Sequence, residues 1–159
     1  MPWNYPSLNI EPAKLEALTA DSVAKGVKYK LGAKIDPKEF YKPGDKVDCS
    51  GHVRYLIFHA TNATGKAIEI PDGSWNQEEW FKKKGYKPTG FDAALLVDDG
   101  IRIAFKQAGI SGIRHVMLIA NGMTHESRGG KGPDSVKWGS RRWHRDCTVY
   151  VLNPPPKMV

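Results

Sequence analysis

The sequence predicts an α+β fold in which helices pack on one face of an antiparallel sheet. The helical patterns lie in the first half of the 159-residue chain, where apolar residues recur at helical spacing between Val53 and Ala60. From Ile101 onward the apolar runs are short and are separated by turn residues, as is typical of strands. Helices that precede strands along the chain favour an α+β arrangement over alternating βαβ units.

Helices are expected in three stretches before residue 85. The first stretch has a proline in its opening turn, and a serine can cap the start of the third. Residues 35–46, between the first two, are rich in proline, glycine and charge and are expected to form a loop. The expected helices are Glu11 to Leu18 with a short further turn capped by Asp21 or Ser22, Cys49 to about His59, and Trp75 to Lys84.

The sheet is expected to consist of short strands. Asn121-Gly122 lies between two of them and is one of the strongest hairpin signals. Residues 128–137 contain four glycines or prolines and are expected to form a mobile loop beside this hairpin. The expected strands are Ile101 to Phe105, His115 to Ala120, Met123 to Ser127, a segment near Trp138, and Cys147 to Leu152.

Composition indicates one domain with a basic surface. A chain of 159 residues can form one core and is too short for a second domain of ordinary size. Residues 1–159 are therefore expected to form a single domain, with its core at about 20–152 after a helical lead-in over 1–20. The formal charge of +7 favours an anionic partner, but no nucleic-acid-binding motif accompanies it. We expect a monomer that does not bind nucleic acid.

No segment of the sequence has the pattern of a membrane span or a signal peptide. No run of about 20 apolar residues is present, so no membrane span is expected. Met1 to Pro6 has neither the basic start nor the apolar stretch of a secretory signal, so no classical signal peptide is expected in this chain.

Cys49 is expected to be a reactive thiol. It lies in Asp48-Cys49-Ser50-Gly51 at the predicted start of a helix, where free N–H groups and the helix dipole favour the thiolate form of a cysteine. His115 opens a predicted strand, and His125 follows on the return strand. A cysteine with a histidine that can take its proton is the pairing used in nucleophilic amide hydrolysis.

Four segments resemble, in order, those of the NlpC/P60 family of cell-wall cysteine peptidases. Together they span roughly residues 20 to 152. They are Gly26 to Gly32, which resembles the tyrosine-containing entry loop, Asp48 to Gly51, which resembles the nucleophile motif, Gly100 to Phe105, which resembles the first core strand, and His115 to His125, which resembles the histidine hairpin. The resemblance implies a papain-like fold without a cofactor.

The same resemblance implies a substrate and a role for each site residue. The substrate would be the stem peptide of bacterial peptidoglycan, cut most often between D-glutamate and the diamino acid. The implied roles are Cys49 as nucleophile, His115 as base, His125 as the group that orients His115, Tyr29 as a donor near the attacked carbonyl, and Asp48 with Ser50 as the site for the free amine end of the stem peptide.

The setting follows from the missing signal peptide. We expect a phage lysin or an antibacterial toxin delivered by a specialised secretion system, acting in the bacterial cell wall or periplasm. Positive charge would hold the enzyme on the anionic wall. If the chain is a toxin, a cognate inhibitor protein is a possible partner, and the sequence does not show whether one exists.

The register of the hairpin decides whether the two histidines can meet. A two-residue turn at Asn121-Gly122 would pair Leu118 with His125 and direct the two histidines to opposite faces. A three-residue loop with a bulge would place them on one face. We expect the second arrangement, because a polar neighbour is needed to orient His115. His52, one helical turn after Cys49, is the alternative neighbour.

Other functions and other roles for the cysteines stay open. The same thiol and histidine could serve an acyltransferase or amidase that acts on lipid or small-molecule amides, and an inert Cys49 would leave a non-catalytic wall-binding or nucleic-acid-binding module. A Cys49–Cys147 disulfide is the structural alternative, although Cys147 is expected to pack as a small buried residue in the last strand. No Cys-x-x-Cys or close histidine pair is present, so no metal site is expected.

Overall fold

In the part of the chain that the structure describes, three α-helices precede a five-stranded antiparallel sheet, which confirms the α+β class. The structure is a computed structural model that describes residues 8–62, 65–98, 100–109 and 112–152. The segment Met1 to Pro6 lies outside these residues. None of the helices in the described ranges is long and apolar enough to cross a membrane.

The helices are α1 (Pro12–Ala24), α2 (Cys49–Asn62) and α3 (Ser74–Lys83). A parallel pair of two-residue strands, β1 (Lys28–Tyr29) and β2 (Lys46–Val47), lies before α2. The main sheet has the strand order β6-β5-β4-β3-β7 and is formed by β3 (Ile101–Lys106), β4 (His115–Ala120), β5 (Met123–Arg128), β6 (Gly132–Asp134) and β7 (Thr148–Val151).

Alternating side chains of β3 and β4 divide the core into two layers. Residues such as Phe105 and Leu118 pack on the side that carries the α-helices, among side chains such as Tyr55 and Phe81. The intervening residues of the same strands pack against two short 3-10 helices, Phe91–Ala94 and Arg142–Asp146, and the segment around Trp138. All three α-helices therefore contribute to one layer, and the opposite layer holds the 3-10 helices.

Three elements differ from the sequence prediction. The first helix continues to Ala24, because its helical hydrogen bonding passes through the residues that were expected to cap a separate turn. The expected loop 128–137 contains β6, and the strand expected near Trp138 is reduced to an isolated antiparallel bridge between Lys137 and Met123. Gly132 explains why β6 was missed: its φ is +99°, and a Cβ there would lie 2.6 Å from the carbonyl oxygen of Val27. The glycine permits a close approach to β1 that a strand-forming side chain would block.

Candidate active site

Cys49 is the first residue of α2 and is 8% exposed. The chain before it is fixed by the β1–β2 pair and by a hydrogen bond from the Asp48 N–H to the carbonyl of Ala33. The Asp48 side chain accepts a hydrogen bond of 2.8 Å from the N–H of Gly51, which is an N-cap for α2. A Cβ at Gly51 would lie 2.9 Å from Val47, so only glycine fits beneath this turn. The thiol is thus held at the helix start, where anionic groups are favoured.

His115, the first residue of β4, brings an imidazole to this thiol. Its Nε2 lies 2.8 Å from Oε1 of Glu126, and the Cys49 thiol lies near enough to the ring to raise the pKa of His115. Since Nε2 is engaged by Glu126, Nδ1 is the nitrogen available to Cys49. Burial alone lowers the pKa of His115, but the hydrogen bonds and negative charges of Cys49 and Glu126 raise it to about 9. The geometry therefore favours the imidazolium form of His115, the partner that a thiolate needs.

Glu126 is the third member of this group, and the expected hairpin register was wrong. Leu118 pairs with His125 and Ala120 with Met123, so Asn121-Gly122 is a two-residue turn. Both turn residues have positive φ, 53° and 74°, as a type I′ turn requires. In this register Glu126, not His125, shares a face with His115. Glu126 is fully buried, and its interaction with His115 lowers its pKa against the opposing effect of burial.

His125 points to the opposite side of the sheet, among the α-helices. Its Nδ1 hydrogen-bonds to Oγ1 of Thr19 at 2.7 Å, and the ring is 3% exposed. His52, the alternative neighbour of His115, is fully buried and hydrogen-bonds to the hydroxyl of Tyr41 at 2.7 Å. The structure therefore does not bring either histidine to His115, because the register of the hairpin and the position of α2 direct both into the core.

Asp48 and Ser50, the residues expected to bind the amine of the substrate, instead bind the side-chain ammonium of Lys34. Nζ of Lys34 lies 2.6 Å from Oδ2 of Asp48 and 2.7 Å from Oγ of Ser50. Ser50 also donates a hydrogen bond to the other carboxylate oxygen of Asp48, at 3.2 Å. Both side chains lie close to Cys49 as expected, but in this structure Lys34 satisfies them. No feature of the sequence around Lys34 distinguishes it from the other lysines of the chain, so its role could not be predicted.

Tyr29 lines a cleft beside the thiol. The pKa of its phenol is raised by burial and by the neighbouring charges of Cys49 and Asp48. The cleft has a volume of about 440 Å³. Trp143 also lines it, and its indole is perpendicular to the His115 ring at a centroid distance of 5.7 Å. The residues that line it are Tyr29, Leu31, Lys106, Ile113, Arg114, His115, Arg128, Gly129, Arg141 and Trp143.

A buried ion pair fixes the start of β4 next to the thiol. Arg114, whose carbonyl oxygen lies 4.0 Å from Sγ of Cys49, pairs at 2.6 Å with Glu78 of α3. Glu78 also accepts a hydrogen bond of 2.8 Å from Tyr150 of β7 and a weaker one from Gln107. One carboxylate thus joins α3, the chain before β4, and β7, and so fixes the residue that precedes His115.

Glu78→Gln is expected to reduce the free energy of unfolding by about 2 kcal/mol, since it leaves the Arg114 cation without its ion pair. Removing one member of a fully buried pair costs roughly 3–5 kcal/mol, and the smaller value is expected because Arg114 is 17% exposed. Urea denaturation followed by tryptophan fluorescence measures the change.

The neighbouring Glu79 provides a matched control for Glu78. It forms an i,i+3 pair with Lys82 at 3.5 Å on the surface, so Glu79→Gln should change stability by less than about 0.5 kcal/mol. Equal effects of the two substitutions would show that the Arg114 pair does not stabilise the fold.

Neither a disulfide nor a metal centre is found in the described residues. Cys49 and Cys147 are both free, and burial raises the pKa of Cys147 to about 12, so this second thiol is unsuited to nucleophilic chemistry. No group of three or more His, Cys, Asp or Glu side chains in the described ranges is placed to hold a metal ion.

Comparison with known proteins finds no match for this chain, either among protein-family models or among curated proteins.

Proposed function

We propose that this protein hydrolyses amide bonds through an acyl-enzyme formed on Cys49. The observation that carries the proposal is the arrangement of three side chains: the Cys49 thiol at the start of α2 raises the pKa of His115, and His115 in turn lies 2.8 Å from the carboxylate of Glu126. A nucleophile, a base and a group that orients the base are the three parts of a Cys-His-acid triad.

The chemistry follows from these contacts. The proton of the Cys49 thiol passes to His115 before the attack, which gives a thiolate and an imidazolium, and the thiolate Sγ then attacks the carbonyl carbon of the amide. His115 then protonates the leaving nitrogen, which leaves a thioester on Cys49. Water, activated by His115, hydrolyses the thioester and restores the thiol. The free N–H groups at the start of α2 and the phenol of Tyr29 are suited to stabilising the oxyanion of each tetrahedral intermediate.

The substrate we propose is the stem peptide of bacterial peptidoglycan, cut at the bond from D-glutamate to the diamino acid. Support comes from the four segments that resemble the NlpC/P60 family, which imply a papain-like arrangement of helix and sheet. The net charge of +7 is suited to an anionic polymer. A phage lysin and a secreted antibacterial toxin are the two settings that this activity fits.

Digestion of purified peptidoglycan tests the proposal. Mass spectrometry of the soluble products should show new stem-peptide fragments with the native chain and none with Cys49→Ala. Cys147→Ala, which alters the other free cysteine, should give the same fragments as the native chain. Fragments that appear equally with Cys49→Ala would exclude the thiol mechanism.

A further inference from the structure

We propose that Lys106 and Arg141 form a carboxylate-binding site beside Cys49, so that the preferred substrate carries an acidic group close to the amide that is cut. This inference rests on the proposed amide hydrolysis and narrows its substrate class. The observations that lead to it are the positions of the basic side chains around His115 and the absence of acidic partners for two of them.

Basic side chains flank His115 on both neighbouring strands. Lys106 of β3 is the direct cross-strand partner of His115, so the two side chains leave the sheet on the same face about 5 Å apart at Cβ. On the other side, Arg128 of β5 is two residues beyond Glu126 and therefore also lies on this face. Both residues line the cleft, together with Arg114 and Arg141.

Most charges around the cleft are neutralised within the protein. Arg114 is paired with Glu78, and Arg128 donates to Asp134 at 2.6 Å. The negative charge of Asp48 near the thiol is balanced by Lys34, as described above. None of the residues that line the cleft is an aspartate or a glutamate.

Two cations remain without a carboxylate. Neither Lys106 nor Arg141 forms an ion pair with any acidic residue of the described ranges. Nε of Arg141 is also buried without a hydrogen-bond partner among those residues. A buried guanidinium donor that the protein does not satisfy is suited to a ligand that accepts hydrogen bonds.

A carboxylate matches this arrangement. Guanidinium groups bind carboxylates through paired N–H donors, and a lysine ammonium adds a point charge. Tyr29 and Trp143 also line the cleft, and apolar ring surface beside the two cations strengthens their attraction for an anion. A substrate with an acidic group near the scissile amide would therefore be held with that amide next to Cys49.

Alkylation of Cys49 by two reagents of different charge tests the site without a natural substrate. Iodoacetate carries a carboxylate and iodoacetamide does not, yet both react with the same thiolate, so the ratio of their rates reports the charge preference of the cleft. We expect the rate with iodoacetate divided by the rate with iodoacetamide to be several-fold higher for Cys49 than for N-acetylcysteine. This ratio should fall about fivefold in Arg141→Gln. Arg142→Gln, at an exposed neighbour that does not line the cleft, should leave the ratio unchanged.

The outcomes separate this inference from the proposed function. A ratio equal to that of N-acetylcysteine, or one unaffected by Arg141→Gln, would overturn the carboxylate site even if Cys49 reacts rapidly. A Cys49 that reacts with iodoacetamide no faster than a free thiol would instead count against the proposed hydrolase.

A second measurement needs no reactive thiol. Glutarate titrated into the Cys49→Ala protein should shift the indole N–H resonance of Trp143, and Arg141→Gln should weaken that binding while Arg142→Gln does not. No shift with glutarate, or tighter binding of inorganic phosphate than of glutarate, would overturn the carboxylate assignment.

Discussion

Glu126→Gln is expected to reduce the rate of peptidoglycan digestion by roughly 10²- to 10⁴-fold, although the substitution changes one atom of a buried side chain. The carboxylate of Glu126 lies 2.8 Å from Nε2 of His115 and stabilises the imidazolium that forms when Cys49 loses its proton. An amide in its place carries no charge and can present an N–H to Nε2, which would favour the wrong tautomer. Initial rates measured with the native chain and the variant give the factor.

The pH dependence of the same variant shows that Glu126 acts through His115. The pKa of His115 is raised to about 9 with Glu126 as one cause, so native activity should fall at alkaline pH as the imidazolium loses its proton. Loss of the carboxylate removes a contribution that raises this pKa, and the alkaline limb should move roughly 1 to 2 pH units lower. A purely structural role for Glu126 would lower the rate and leave the limb in place.

His125→Asn is the matched control for Glu126→Gln. The amide can keep the hydrogen bond to Thr19, and the residue lies on the opposite face of β5 from His115. Digestion should therefore stay within about threefold of the native rate at pH 7.5. A large loss with His125→Asn and none with Glu126→Gln would restore the Cys-His-His arrangement predicted from the sequence and exclude the triad proposed above.

The hairpin shows why the third residue of the site was misassigned from the sequence. The Asn-Gly dipeptide already favoured a two-residue type I′ turn, and that register alone places Glu126 on the face of His115. The three-residue loop was predicted instead because it places His115 and His125 on the same face. A shift of one residue in register moves every side chain of a strand to the opposite face, so this choice misplaced both His125 and Glu126. The Asn-Gly turn set the register, and Glu126 occupies the position beside His115 that was expected for a second histidine.

Other parts of the site could be predicted only where the residues that form them are adjacent in sequence. The start of α2 at Cys49 was predicted correctly because Asp48 and Gly51, the residues that build the helix start, are adjacent in sequence. The contact of Lys34 with Asp48 depends on the path of a loop, and the pair of Arg114 with Glu78 depends on how α3 packs. Neither the course of that loop nor the packing of α3 is encoded in a periodic pattern of residues, so neither interaction could be predicted.

Acidification is expected to destabilise the fold strongly through His52 and His125, which lie buried between the α-helices and the sheet. Burial is the main cause that lowers the pKa of His52 to about 3 and of His125 to about 4, and neither residue gains a charged hydrogen-bond partner. In the unfolded chain both would titrate near 6.5. Their contribution is therefore fully present at pH 7.5 and is lost as the pH falls through 6.5, by about 2 kcal/mol per histidine between pH 7.5 and 5.

Urea denaturation of the native chain and of His125→Asn at pH 7.5 and pH 5 isolates this effect from packing. At pH 7.5 both histidines are neutral in the folded and unfolded states, so the difference between the two proteins there measures the substitution itself. Between the two pH values the native chain should lose about 2 kcal/mol more than the variant, because the variant has one histidine fewer to protonate on unfolding. The buried carboxylates of the fold, such as Glu126, are common to both proteins and cancel in this comparison. An equal loss in both proteins would mean that His125 is protonated in the folded state as readily as in the unfolded chain, which its burial at 3% exposure argues against.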